Sequence, residues 1–469
     1  MKLKILPFEV DQDDPFKGDA LGRSENASVL TQLIKSIDEP FVLGIDSGWG
    51  TGKTTFVKMW MQSLKNNNFP CLYFNAWEND FSEDPLISLI GEIQDNLDNI
   101  INKSSGSKAK KYFNEAKKLG YKVAKKSIPI AIKIATSGIV DLSDFAGKDL
   151  PEFFASLAKE KIVSYEKEKK TLQKFKATLQ EFVSELIGKE PDSQEKLIFF
   201  IDELDRCRPT FAIELLEKVK HLFSVKGIIF VLSIDKKQII HAIKSIYGIG
   251  MDAGGYLRRF IDLSYRLPQP TADHFISYLF SHFGLEGFFD AIPTKKGLDQ
   301  KDQFIETFIG LSDMFKLSLR VQEQCFTQFT ILLRTTPKHQ YFHPILAAAL
   351  IIIKAALPKL YENLAYGEKT GWEVVNYLKK LPGGNSFLNT NYGRALEVSL
   401  LLCKWKDRQP NEGYEYYKKL SDDSSKTADE KERTSHILVM FTAHIDRNWY
   451  NHLDSLVKKI EVAESFLNA

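Results

Sequence analysis

The chain has 469 residues, which is too long for one ordinary hydrophobic core and favours two or three domains. Hydrophobic residues make up 43% of the chain and charged residues 26%, a balance typical of soluble globular proteins. Because the net charge is only +2, the whole chain has no electrostatic bias toward nucleic acid or membranes, and only a local cluster can favour such a partner.

The first part of the chain alternates apolar strands with amphipathic helices. The predicted strands are short apolar runs at residues 41–45, 70–74, 197–201, 227–234 and 263–267. The predicted helices have apolar residues at helical spacing and span residues 25–37 (capped by Ser24), 54–64, 86–101, 150–186, 213–223 and 236–247. Since each strand is apolar along its whole length, we expect a parallel sheet covered by helices on both faces. From residue 271 onward the pattern is helical.

Cysteine usage and hydropathy bear on the compartment. The four cysteines are scattered and form no CxxC pair, which argues against a zinc site and favours a reducing cytoplasm. The longest apolar segments, residues 127–140 and 344–357, are interrupted by Lys133 and Lys354. Neither reaches the roughly 18 uncharged apolar residues of a membrane span, and we interpret the second as a buried helix.

A glycine-rich loop, SGWGTGKTT, links the predicted strand 41–45 to the helix after it, where a phosphate-binding loop must lie. Its glycines let backbone N–H groups curl around phosphate oxygens, and the helix presents its positive N-terminus to the same anion. Lys53 adds a charge near the β- and γ-phosphates, and the Thr54 hydroxyl is the expected Mg²⁺ ligand. The predicted nucleotide contacts are Gly48, Trp49, Gly50, Thr51, Gly52, Lys53, Thr54 and Thr55. Ser47 stands where the motif has glycine, and completes the turn if its backbone angles are ordinary.

An acidic pair follows the predicted strand 197–201. The strand delivers Asp202 and Glu203 to the carboxyl edge of the sheet, where ligands bind in open α/β folds. We expect Asp202 to hold Mg²⁺ and Glu203 to orient or deprotonate the attacking water. Either strand 70–74 or strand 227–234 is expected to separate the two motif strands.

Several strings in the first 268 residues together resemble the KAP family of P-loop NTPases, a STAND-like, AAA-related group. They are DALGR, SGWGTGKTTF, YFNAWEND, FFIDELDRCRP, FVLSIDKKQI and YLRRFIDLSYRLP. The resemblance implies ATP as the nucleotide, Walker A and Walker B motifs in the loop and the acidic strand, and roles in antiviral defence or phage exclusion beside a partner effector protein. It also implies that Arg23 lies near the base pocket.

Four further residues are candidates for the site from their positions in the sequence. Ser233, on the fourth strand, is placed to sense the γ-phosphate, whereas Asp235 reads equally well as a helix cap. Arg258 and Arg259 follow a predicted turn at Gly254 and Gly255. One of them is a candidate arginine finger for a neighbouring subunit, which requires a homo-oligomer, and the alternative is an arginine pair on a solvated helix.

A lysine-rich stretch separates the two motifs and includes Lys103, Lys108, Lys110, Lys111, Lys117, Lys118, Lys122, Lys125, Lys126 and Lys133. Aromatic residues lie among the lysines, so the stretch is a candidate contact for nucleic acid or for an anionic membrane surface, with peripheral attachment to the inner membrane in the second case. The third alternative is a solvated pair of helices.

These features predict an α/β fold, with a parallel-sheet P-loop NTPase core, a helical insert and an all-α C-terminal domain. The expected boundaries are residues 1–102 and 191–270 for the two halves of the core, 103–190 for the insert and 271–469 for the helical domain. The leading hypothesis is a Mg²⁺-dependent ATPase that drives a conformational or oligomeric switch. The alternatives are a nucleic-acid-stimulated motor or sensor, and a membrane-surface scaffold that uses nucleotide as a structural ligand.

Overall fold

The computed structural model describes residues 9–96, 106–124, 150–187, 196–268, 271–291, 300–336, 343–403, 411–445 and 453–464. The chain divides into two compact units, one spanning Glu9–Gln269 and the other containing Pro270–Ala469. We call them the α/β unit and the helical unit. Residues 97–105, 125–149 and 188–195, which include Lys103, Lys125, Lys126 and Lys133, lie outside the described residues.

The α/β unit follows the alternation that the sequence predicts. Its strands are β1 Phe41–Asp46, β2 Cys71–Asn75, β3 Leu197–Asp202, β4 Ile228–Ile234 and β5 Leu263–Arg266. Its helices are α1 Ser24–Ser36, α2 Lys53–Asn66, α3 Pro85–Asp95, α4 Gly106–Ala124, α5 Leu150–Ile187, α6 Pro209–Leu222, α7 Lys236–Tyr247 and α8 Ala253–Leu257.

The five strands form one parallel sheet in the order β2-β3-β4-β1-β5. Strand β4 therefore separates the two strands that carry the motifs, which settles the choice between strands 70–74 and 227–234. The register pairs Ile45 with Ser233 and Asn75 with Asp202. Because all strands are parallel, their carboxyl ends meet at one edge, and both motifs lie there.

Both faces of the sheet are covered by helices, as the uninterrupted apolar strands require. On one face Leu43, Phe200 and Val231 pack with α1 and α2, where the Trp60 ring meets the Phe200 ring edge-on at 5.4 Å. On the other face alternate strand residues such as Phe199 and Phe230 pack against the remaining helices. The prediction of a two-faced parallel sheet is confirmed.

The lysine-rich helix α4 packs into the core of this unit through its apolar side. Phe113 on α4 and Phe182 on α5 have ring centroids 5.5 Å apart, and both side chains are buried. Gly120 lies so close to α3 that a Cβ atom there would come within 2.3 Å of the Ile90 side chain. The lysines of α4 project from the opposite side, since the buried and the charged residues alternate at helical spacing.

Several predicted helix ends are wrong for identifiable reasons. Ser24 is the first helical residue of α1 rather than its cap, because the Asp19 carboxylate accepts from the backbone N–H groups of Arg23 and Ser24 at 2.5 and 3.2 Å. Helix α6 starts four residues earlier than predicted, at Pro209, whose missing N–H suits a first helical position.

The predicted turn at Gly254 and Gly255 is also wrong, since both glycines lie inside α8. The Asp252 side chain caps this helix by accepting from the Gly255 N–H at 2.8 Å. A Cβ atom at position 255 would come within 2.1 Å of that carboxylate, so glycine is needed there for the close cap rather than for a turn.

The described residues of the helical unit form only helices. They are α9 Ala272–His282, α10 Glu286–Asp290, α11 Gln300–Phe315, α12 Leu319–Thr335, α13 Pro344–Ala356, α14 Pro358–Tyr366, α15 Gly371–Lys380, α16 Gly384–Leu388, α17 Asn391–Leu401, α18 Glu412–Asp422, α19 Ala428–Ile445 and α20 Leu453–Glu464. Helix α13 is buried from Pro344 to Ile353, which confirms the interpretation of that apolar segment as a core helix. Within the described ranges, no helix combines the length and apolar character of a membrane span.

Candidate nucleotide-binding site

The phosphate loop joins β1 to α2 in the geometry that an anion site requires. The Ser47 N–H donates to the Ile234 carbonyl at 3.2 Å, which ties the start of the loop to the end of β4. Gly50 and Gly52 have φ angles of 70° and 79°, in the left-handed region that favours glycine. Helix α2 begins at Lys53, so the unpaired N–H groups of its first turn, at Thr54 and Thr55 among others, open toward the loop.

Ser47 fits the loop despite its departure from the motif. Its φ angle is not left-handed, so the backbone does not need glycine at this position. The Ser47 hydroxyl hydrogen-bonds to the Thr51 hydroxyl at 2.8 Å, and the Thr51 hydroxyl donates to the Gly48 carbonyl at 2.7 Å. The Thr51 side chain thus braces the loop from inside, which leaves its backbone as the part available to a phosphate.

Arg23 lies behind the loop and holds two of its carbonyls. The guanidinium is 2% exposed and donates to the carbonyls of Thr51 at 2.8 Å and Gly52 at 3.2 Å, with a longer contact to the Pro268 carbonyl at 3.5 Å. Burial lowers the pKa of this group to about 10, against the opposing effect of Asp19. These bonds turn the carbonyls inward, so Arg23 shapes the loop from the side away from a phosphate. A direct contact with the nucleotide base stays a prediction.

We expect Arg23→Ala to weaken nucleotide binding without touching the nucleotide. The substitution leaves the Thr51 and Gly52 carbonyls without their buried donor, at a cost of about 1–3 kcal/mol. Because about half of that cost is expected to fall on the order of the loop, ATP should bind about two- to tenfold more weakly. Calorimetric titration with ATP measures this, and Arg266→Ala, at an exposed arginine of β5, is the control. An unchanged dissociation constant with a lower melting temperature would assign Arg23 to folding alone.

Asp202 ends β3 as a buried, fully oriented carboxylate. It is 1% exposed, accepts from the Tyr73 hydroxyl at 3.0 Å, and accepts from the Glu203 N–H at 2.9 Å. Burial, with the nearby Asp202 charge, raises the pKa of the Tyr73 hydroxyl, so that hydroxyl remains a donor to the carboxylate. Tyr73 was not among the predicted site residues. The register of β2 against β3 places it there, and a single sequence does not give that register.

Glu203 has an unusual backbone conformation, with φ 60° and ψ 24° in the left-handed region. Such a conformation is uncommon for a residue with a side chain and concentrates at functional sites. The carboxylate pairs with Arg206 at 3.0 Å. Burial raises the pKa of Glu203, an effect that the Arg206 charge and a hydrogen bond from Asn75 oppose. A raised pKa is what a general base needs in order to accept a proton near neutral pH.

Asp205 links the acidic turn to the phosphate loop. The Trp49 indole N–H donates to the Asp205 carboxylate, and the Lys53 ammonium lies 3.9 Å from the same carboxylate. The Lys53 ammonium also donates to the carbonyls of Ser47 at 2.5 Å and Gly48 at 3.3 Å. The structure therefore brings Lys53 and the turn that follows Glu203 together at one sheet edge. Sequence reasoning missed these contacts of Asp205, although its place two residues after Glu203 in DELD is a usable signal.

The remaining candidate residues, at the end of β4 and after α8, differ in how exposed their side chains are. Ser233 is fully buried, and its hydroxyl has no hydrogen-bond partner within the described chain. Asp235 caps α7 by accepting from the Lys237 N–H at 3.0 Å, as the alternative reading predicts. Arg258 and Arg259 are both exposed just after α8, as an arginine that reaches a second subunit must be. Their role, and that of Ser233, stays a prediction.

Residues 23–336 match the model of the KAP family P-loop domain, which is well over half of the chain. The chain belongs to the KAP family. A curated relative is an uncharacterized protein of Methanocaldococcus jannaschii, which is 33% identical over 181 residues. The match covers 36% of this KAP protein and 91% of the relative. The resemblance drawn from the motifs is confirmed.

A more distant relative is the phage T7 exclusion protein of Escherichia coli K12, 25% identical over 260 residues. The match covers 52% of this KAP protein and 32% of that one, so this chain spans about a third of that relative. Among solved structures, the Aeropyrum pernix ORC2 protein (ADPNP-ADP complexes) aligns over 92% of this chain and 95% of its own, at 13% identity and a TM-score of 0.32. C. elegans PCH-2 covers 74% and 69%, at 13% identity and a TM-score of 0.29.

The oxygen donors at the sheet edge fit a Mg²⁺ ion. Mg²⁺ in nucleotide sites takes one or two protein oxygens and fills its shell with phosphate oxygens and water. The Thr54 hydroxyl and the Asp202 carboxylate are donors of that type, and two hydrogen bonds already orient Asp202. Across the described ranges, no cluster of three or more His, Cys, Asp or Glu side chains suits a metal.

Proposed function

We propose that this KAP protein binds ATP with Mg²⁺ and hydrolyses it, and that turnover switches the conformation or assembly of the chain. The observation that carries the proposal is the direct contact between the two motifs through Asp205, Trp49 and Lys53. This contact puts the lysine of the phosphate loop within reach of the turn that carries Asp202 and Glu203. Family membership supports nucleotide binding, and the raised pKa of Glu203 supports hydrolysis.

Each side chain has one task in the proposed reaction. The loop N–H groups and Lys53, released from its carbonyl and Asp205 contacts, hold the β- and γ-phosphates. Thr54 and Asp202 are the residues that would hold Mg²⁺, and the bound ion would neutralise charge on the phosphates. A water molecule attacks the γ-phosphorus, its proton passes to the Glu203 carboxylate, and the bond to the ADP oxygen breaks.

Steady-state hydrolysis of ATP and GTP, with Mg²⁺ or with EDTA, tests the proposal. We expect Mg²⁺-dependent phosphate release, lost in Lys53→Ala, with a melting temperature close to that of the wild type in the absence of nucleotide. The loss reflects removal of the charge beside the phosphates. A wild-type protein that binds ATP but never turns it over, with candidate partners included, would be a binding module. If Lys53→Ala itself loses stability, rather than staying folded and losing only its response, the chain is a scaffold that uses nucleotide as a structural ligand.

We further propose that the active form is a homo-oligomer in which Arg258 or Arg259 completes a neighbouring site. The exposure of both side chains supports this. Light scattering with and without ATP and Mg²⁺ should show assembly, and Arg259→Ala should retain assembly while losing turnover. A chain that stays monomeric at full turnover excludes an arginine finger.

A role in phage exclusion is supported by the Escherichia coli relative, a phage T7 exclusion protein. A partner effector protein stays a prediction. Cells that express the wild type should reduce phage plating, and cells that express Lys53→Ala should not. Equal plating on both strains would leave the nucleotide site without a part in defence. Such a protein would act in the cytoplasm, or at the inner face of the membrane.

The lysines of α4 favour a second candidate function, contact with nucleic acid. The apolar side of α4 is buried against α3 and α5. The exposed lysines of this helix are Lys108, Lys110, Lys111, Lys118 and Lys122. An amphipathic helix binds a bilayer by inserting its apolar side, so α4 in this conformation is better suited to phosphate backbones.

We expect weak, sequence-independent binding to duplex DNA that falls steeply with salt. Lys111→Glu/Lys118→Glu/Lys122→Glu should weaken this binding strongly, because these lysines lie on the side opposite the buried one. Neutralising about three fewer phosphates lowers the slope of log K against log salt by about 2.7. Fluorescence anisotropy at several salt concentrations measures this, with vesicles of anionic lipid as the comparison. Binding to vesicles but not to DNA would reverse the assignment.

A further inference from the structure

Arg206 stands between the proposed base and the protein surface. On one side its guanidinium pairs with the Glu203 carboxylate at 3.0 Å. On the other side it lies over the Trp77 ring, 5.4 Å from the ring centroid. Glu203, Arg206 and Trp77 thus form a continuous row of contacting side chains from the site to the solvent, where the Trp77 side chain is 53% exposed.

Both ends of this row of side chains are fixed to the edge of the sheet. Glu203 follows β3 directly, and the Trp77 N–H donates to the side chain of Asn75, the last residue of β2, at 3.1 Å. Asn75 and Asp202 are register partners on neighbouring strands. The distance that Arg206 bridges is therefore set by the sheet rather than by a free loop.

The contacts suit an arginine that orients another group. A guanidinium is planar, remains charged, and stacks on an aromatic ring while its N–H groups reach a carboxylate. Glu203 needs such a partner, because its left-handed backbone conformation is strained and its side chain follows a sharp turn. An ion pair with Arg206 selects one rotamer of the Glu203 carboxylate and so fixes the direction in which the carboxylate meets a water molecule.

We propose that Trp77 and Arg206 are positioning residues, which hold the Glu203 carboxylate in the orientation that accepts the proton of the attacking water. The expected effect on catalysis rests on the proposed hydrolysis. The coupling of the Trp77, Arg206 and Glu203 side chains does not depend on it. Because Trp77 is exposed, whatever covers or moves this ring changes the orientation of Glu203.

Kinetics of four variants test the consequence. We expect Arg206→Gln to lower kcat by about tenfold, as small misplacements of catalytic groups do, with KM nearly unchanged because the phosphate loop holds the nucleotide. Arg206→Lys should recover part of the rate, and Trp77→Ala should lose about threefold, since the guanidinium keeps its ion pair but not its platform. Phe81→Ala is the control, because this residue of the same loop is 86% exposed. A rise in KM without loss of kcat overturns the inference.

A double-variant cycle separates positioning from general damage. If Arg206 acts through Glu203, then Arg206→Gln has little further effect once Glu203→Gln is present. An equal loss in both backgrounds overturns the inference, since Arg206 would then act elsewhere.

The coupling has a readout that does not need turnover. In protein labelled with ¹⁵N at the indole nitrogens, the Trp77 signal is assigned with Trp77→Phe. Arg206→Gln and Glu203→Gln should each displace this signal while that of Trp372, in the helical unit, stays in place. A Trp77 signal that neither variant moves overturns the inference. If the Trp77 signal is displaced but the wild type hydrolyses no ATP, the proposed function is wrong, whereas the coupling of Trp77, Arg206 and Glu203 stands.

Discussion

Glu203→Gln lowers the steady-state rate of ATP hydrolysis by about 10²–10⁴-fold, the usual contribution of a positioned general base. Affinity for ATP should stay near that of the wild type. The amide has the same shape as the carboxylate but cannot take a proton from water. The phosphate loop, Lys53 and Asp202 do not depend on the charge of Glu203 for their own hydrogen bonds.

The expected contrast between rate and affinity follows from burial and charge. Glu203 sits beside the buried Asp202 carboxylate, so removing one negative charge should if anything favour the nucleotide's phosphates. Steady-state phosphate release and calorimetric titration with ATP measure the two quantities. Glu83→Gln, at an exposed acid of the loop after β2, is the matched control. A Glu203→Gln protein that turns over as fast as the wild type would exclude Glu203 as the base.

The parts of this site that the sequence predicts are those set by neighbours in the chain. The glycine-rich loop and Asp202 each follow an apolar run directly, and such a run becomes a strand of a parallel sheet whose carboxyl ends share one edge. Local spacing is enough for both. The burial of α13 follows in the same way from an apolar run that is too long and too regular for a loop.

The missed parts depend on contacts between distant positions. Trp49 reaches Asp205 across 156 residues, and Arg23 reaches the Gly52 carbonyl across 29. No periodicity links such pairs, because their proximity comes from strand order and from the twist of the sheet. Tyr73 is the same case, since only the register of β2 against β3 shows that its hydroxyl meets Asp202.

Glu397→Ala is expected to destabilise the helical unit by about 3 kcal/mol, because it leaves buried cations without their anion. Glu397, on α17, is fully buried. The Lys379 ammonium lies 2.9 Å from its carboxylate, and Arg433 pairs with the other oxygen. The Tyr417 hydroxyl donates to the same carboxylate and accepts from Arg433 at 2.9 Å. Four helices, α15, α17, α18 and α19, meet through these side chains.

Hydrogen exchange followed by mass spectrometry is the suitable measurement, because a chain with two compact units need not unfold in one step. Peptides from the four helices should lose protection in Glu397→Ala, while those of the five strands keep it. Glu432→Ala removes an exposed acid beside Arg433 and should cost less than about 0.5 kcal/mol. Unchanged protection in α15 and α19 would show that the helices hold together without the buried acid.

Glu397→Gln separates the charge from the hydrogen bonds of this cluster. Glutamine keeps an acceptor for Tyr417 and Lys379 but leaves two cations facing each other, and burial already lowers the pKa of Lys379. Because the carboxylate also raises that pKa, its loss should let Lys379 give up its proton more readily as the pH rises. We therefore expect Glu397→Gln to be destabilised least at alkaline pH, where Lys379 is neutral, and most at neutral pH. A loss that does not change with pH would mean that shape and hydrogen bonding, rather than charge, hold the four helices together.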